Sequence, residues 1–160
     1  MNLQWLTSAH LSVIHWAWCV AHYPERVQSS SSEMHSVAAE LDKLASEFNT
    51  TRDKFWDQLL TLACVTDGAV DLTERLSSRL GGGSTTLAAR LVGAVHQCRL
   101  QFERSFPKFA TEMSLRSGPM RQLWEAYGPG LLRLIERQTG QDVMVEDASV
   151  VLVQPILGGF

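Results

Sequence analysis

His15, Cys19 and His22 are the residues whose types and spacing most readily suggest chemistry. Steps of four and three put all three on one side of a helix. Imidazole nitrogen and thiolate sulfur are good ligands for zinc or another transition metal, and a fourth ligand or a water would complete the site. With an unidentified carboxylate acting on metal-bound water, this would be a hydrolase-like, metal-dependent enzyme with its site on the polar face of the first helix. The same residues also suit the semi-polar side of a packed helix. The sequence holds no second ligand cluster: HExxH, paired CxxC and repeated Glu-x-x-His are all absent.

Other candidates are weaker. Gly81-Gly82-Gly83-Ser84-Thr85-Thr86 precedes an expected helix, where backbone amides can hold a phosphate, but the lysine of a Walker loop and the preceding strand are missing. A linker with a capping hydroxyl accounts for the same residues. Asp53 and Asp57 lie four apart, as an acid and a base could, yet Arg52 and Lys54 beside them point to a solvated charged face. No G-x-S-x-G elbow is present to expose a nucleophile. His10 and His96 fall among apolar neighbours and are expected in the core, as are the five tryptophans. Gly158-Gly159 invites comparison with proteins joined through a C-terminal glycine, but Phe160 follows it and the helical body departs from a β-grasp fold. Catalytic and cofactor-binding residues therefore stay unassigned.

The elements that must position these residues follow from the spacing of apolar side chains. Residues 3–22 read as one amphipathic helix, with Gln4, Ser8, Ser12, His15, Cys19 and His22 on an uncharged polar arc, ended by Tyr23-Pro24. The stretch Ser30 to Ala63 contains neither Gly nor Pro, keeps its apolar residues in helical phase and starts with the capping pattern Ser30/Glu33. It is expected to form one central helix roughly 50 Å long. A helix with Leu72, Leu76 and Leu80 follows Asp67-Gly68, and another runs from Ser84 or Thr85 to about Ser105. After a partly helical connector, Ser117-Gly118-Pro119 opens a helix bearing Leu123, Tyr127, Leu131 and Leu134. Its stripe keeps phase through Gly128-Pro129-Gly130, which predicts a kink rather than a break, and Gly140 closes it. Val143-Met144-Val145 and Val150-Val151-Leu152-Val153 read as the two strands of a hairpin that lacks sheet partners.

The expected fold is thus mainly α: a helical bundle of five or six helices over residues 1–140, with a short C-terminal β-hairpin and tail over 141–160 that continues in a longer natural chain. At 45% hydrophobic and 19% charged residues, a disordered chain is excluded. A net charge of -3 with scattered basic residues argues against nucleic acid. The polar breaks in the uncharged first 24 residues argue against a membrane span or a signal peptide. Cys19, Cys64 and Cys98, odd in number and far apart, suit reduced thiols in a cytoplasmic protein. The functional expectation is a helical protein-interaction or regulatory module. Its partner is another protein or a second copy, met through Val150, Val151, Leu152 and Val153.

Overall fold

The computed structural model describes residues 2–27, 31–140 and 147–154. The protein is mainly α, with six helices and one two-stranded parallel sheet among these residues. Two compact units divide the chain: residues 8–107 with 153–160, and residues 1–7 with 108–152.

The larger unit is a bundle of five helices: α1 (Ala9–His22), α2 (Ser32–Glu47), α3 (Arg52–Ala63), α4 (Ala69–Arg79) and α5 (Thr85–Ser105). Ser8, Ser31, Thr51 and Ser84 each accept a hydrogen bond from the amide three residues on, satisfying a donor the first turn leaves open. Four of the five helix starts are therefore written in hydroxyl residues. The cap of α2 is Ser31, one residue after the expected Ser30, which lies outside the described residues.

The bundle closes around α1, which packs on α2, α3 and α5. Ile14, Trp16, Ala17 and Cys19 are fully buried there, together with Leu41 and Leu44 of α2, Phe55 and Leu59 of α3 and Leu91 and Cys98 of α5. Trp16 meets Phe102 and Phe106 edge-on, with ring centroids 5.9 and 5.3 Å away. Leu72 and Leu76 seal the core from α4.

Two expectations about the bundle are corrected. The stretch read as one central helix is a helical hairpin, α2 and α3, broken at Phe48–Thr51 by a Schellman turn: Thr50 N–H donates to Ala45 O at 3.3 Å and Asn49 N–H to Ser46 O at 3.0 Å. Asn49 sits at φ 53°, the left-handed region that asparagine tolerates. Continuous apolar phase misleads here because each arm of a helical hairpin turns its own stripe inward. The helix read over residues 3–22 begins only at Ala9, since residues 2–7 form a strand. Ser12 and Cys19, placed by that reading on a polar arc, are both fully buried. Ser12 Oγ donates to Ser8 O at 2.7 Å and accepts from the Gln154 amide at 3.2 Å, which makes its burial tolerable.

The smaller unit comprises β1 (Asn2–Thr7), α6 (Phe109–Thr139) and β2 (Asp147–Leu152). β1 and β2 pair in parallel, from Asn2 opposite Asp147 to Thr7 opposite Leu152. The expected hairpin is corrected to this extent: the strand containing Val150–Leu152 has a sheet partner, and that partner is the start of the chain. Residues 143–145, expected as the hairpin's other strand, lie outside the described residues. α6 is one helix of 31 residues that absorbs the expected connector and carries Pro119 and Pro129 in its interior. Gly140, at φ 67°, ends it. Among the described residues no helix is long and apolar enough to cross a membrane.

Candidate functional site

α1 brings the three sequence candidates to one side of the bundle, but not to one point. His15 and Cys19 meet, the sulfur lying 3.7 and 3.8 Å from the two ring nitrogens. His22 turns away: its Nδ1 lies 2.9 Å from the Trp18 carbonyl oxygen, so this nitrogen is the protonated donor. Trp18 stands between the histidines, with ring centroids 5.8 Å from His15 and 5.1 Å from His22, and Trp56 meets His22 edge-on at 5.8 Å. Among the described residues no group of three His, Cys, Asp or Glu side chains converges as a metal would require.

Burial decides the chemistry of the His15–Cys19 pair. The Cys19 thiol is pushed up to about 12, and His15 is held below the ordinary histidine value. At neutral pH the pair is a thiol beside a neutral imidazole, and the thiolate that attacks carbonyls is not present. Cys98, also pushed up to about 12 by burial, is inert for the same reason.

The remaining candidates resolve into ordinary roles. Gly81 and Gly82 both take φ 90° in the linker, and the Ser84 hydroxyl accepts from the Leu87 amide, so the GGGSTT stretch turns the chain and caps α5. Asp53 and Asp57 lie on the exposed side of α3. His96 is exposed, against the expectation of a core residue: its apolar sequence neighbours face the bundle from the other side of α5. His10 is half-buried. Its Nε2 is buried without a hydrogen-bond partner among the described residues, and burial lowers its pKa against the opposing field of Asp67.

The feature that spacing alone understated is on α6. Met120, Leu123, Tyr127, Leu131 and Leu134 recur at steps of three and four, forming one stripe, and they are between 41% and 70% exposed. The stripe was legible as a pattern. Its lack of cover was not, because an apolar helix face reads the same whether it meets a core or a partner. Glu125 and Glu136 stand on the side of the helix opposite the stripe.

Comparison with protein-family profiles, with curated proteins and with solved structures returns no match to this chain.

Proposed function

We propose that this chain is a helical protein-interaction module that associates with a second copy of itself through α6. One observation carries the reading: the exposed apolar stripe of Met120, Leu123, Tyr127, Leu131 and Leu134 along a helix roughly 45 Å long. Single exposed leucines are ordinary, but monomers seldom expose contiguous apolar patches beyond about 300–600 Å². Two copies of such a stripe are self-complementary, as a two-fold interface demands. The proposed interface thus shifts from Val150–Val153, whose strand residues are paired with β1, to the helix of the same unit. A cytoplasmic setting accords with Cys19, Cys64 and Cys98 being free. The metal-dependent enzyme has no comparable support, because His22 bonds the Trp18 carbonyl and no third ligand joins His15 and Cys19 among the described residues.

Sedimentation velocity across a concentration series tests the proposal. The native chain should pass from monomer to dimer as concentration rises, and the pair of substitutions Leu123→Glu and Leu131→Glu should leave a folded monomer with unchanged far-UV circular dichroism. A native chain that stays monomeric at about 100 µM, where even a weak dimer forms, would sink it.

A further inference from the structure

The smaller unit contains a cavity of about 270 Å³ lined by both strands and the first half of α6. Its walls are of two kinds. Trp5, Leu6, Ala110 and Leu152 supply apolar surface. Thr7, Ser114, Ser117 and Arg121 supply polar groups, and Gly118 leaves the floor open: a Cβ built there meets nothing within 4 Å. The Ser117 hydroxyl is committed to the Ser114 carbonyl at 2.9 Å. The Arg121 guanidinium is not committed: among the described residues it has no ion pair, although Glu125 stands one turn further along α6.

We infer that this cavity binds a small monocarboxylic acid, its carboxylate on Arg121 and its apolar body against Trp5 and Leu152. The assignment follows from matching charge and shape. A guanidinium fork takes a planar carboxylate through two parallel hydrogen bonds, and nearby hydroxyls can donate to the remaining lone pairs. A phosphate dianion would leave one of its charges unmatched by the single guanidinium among the lining residues. At ~30 Å³ per water-sized group, the volume accepts roughly ten non-hydrogen atoms, which bounds the apolar body to something like a phenyl ring or a short alkyl chain. A free acid and the C-terminal residue of a peptide present the same group. The limited volume favours the free acid.

Benzoate, acetate, inorganic phosphate and a tripeptide ending in a leucine carboxylate, titrated separately against isotope-labelled full-length chain and followed by amide NMR, test this directly. Benzoate should bind saturably, with shifts centred on Thr7 and on residues 114–121, and more tightly than acetate. Arg121→Gln should weaken it at least about ten-fold through loss of the paired hydrogen bonds. Ser114→Leu should remove binding by filling the cavity while the fold is kept, because the position is exposed, lies inside α6 and suits a strong helix former. Absence of saturation by about 10 mM benzoate, unchanged affinity in Arg121→Gln, or phosphate binding as tightly as benzoate would each overturn the assignment. Tighter binding of the tripeptide would overturn the free acid as ligand.

Discussion

Asp42 holds three helices together with one carboxylate oxygen. Its Oδ1 accepts from the Trp56 indole at 2.7 Å and from Arg52 Nε at 2.9 Å, and the same Arg52 donates to the Ala21 carbonyl at the end of α1 at 2.6 Å. The two bonds differ in worth. Arg52 is nearly half exposed, so water replaces its partner at little cost. Trp56 is 1% exposed, and its N–H has no such recourse. Asp42→Ala should therefore lower unfolding free energy by about 1–3 kcal/mol, chiefly by stranding the indole donor. Asp42→Asn keeps an acceptor and should cost less. Urea denaturation of the two variants measures the difference, and equal losses would show that the ion pair, not the indole, dominates.

Helices end where a residue can adopt the turn that ends them, and the α2–α3 hairpin depends on Asn49 in this way. At φ 53° its backbone takes a conformation that costs most side chains roughly 1–2 kcal/mol, less for asparagine and nothing for glycine. Asn49→Ala should lose about 1 kcal/mol, whereas Asn49→Gly should be neutral or slightly stabilising, as read from thermal or urea midpoints. A neutral Asn49→Ala would mean that the turn can reorganise. α6 illustrates the opposite case. Pro119 and Pro129 each remove an intrahelical hydrogen bond, and Gly128 lies under the Trp124 ring, where a Cβ would approach within 2.4 Å, yet the helix runs through. The in-phase stripe on either side of the Gly128-Pro129-Gly130 step already implied that continuity.

The pH response of the folded chain follows from its buried imidazoles. Burial lowers the pKa of His10 and of His15 below the ordinary 6.5, so the native state binds fewer protons than the unfolded chain once pH falls under that value. Asp67 and Arg99, which face His10 with opposite effects, modulate the shift without reversing it. Stability contributed by these histidines is therefore fully present above about pH 6.5 and is lost as pH falls towards their folded values. Urea midpoints should drop between pH 7 and pH 5, and the double variant His10→Gln, His15→Gln should show a shallower drop. An equal drop in the double variant would assign the acid sensitivity to other groups.

Local pattern by itself determined the helical class, the bounds of α4 and α5, the hydroxyl cap of α5 and the glycine end of α6, because each depends on interactions within a few residues of the same segment. It also placed His15, Cys19 and His22 on one helix side. Tertiary structure alone decided the rest. A helical period cannot say that Cys19 faces a core that keeps its thiol protonated, nor that His22 turns its ring to a carbonyl. Nor can it reveal that Asn2–Thr7 is a strand, since the partner that makes it one is Asp147–Leu152 at the other end of the chain. Pairing over such a separation leaves no local trace, and the cavity beside Arg121 exists only once those strands have met over α6.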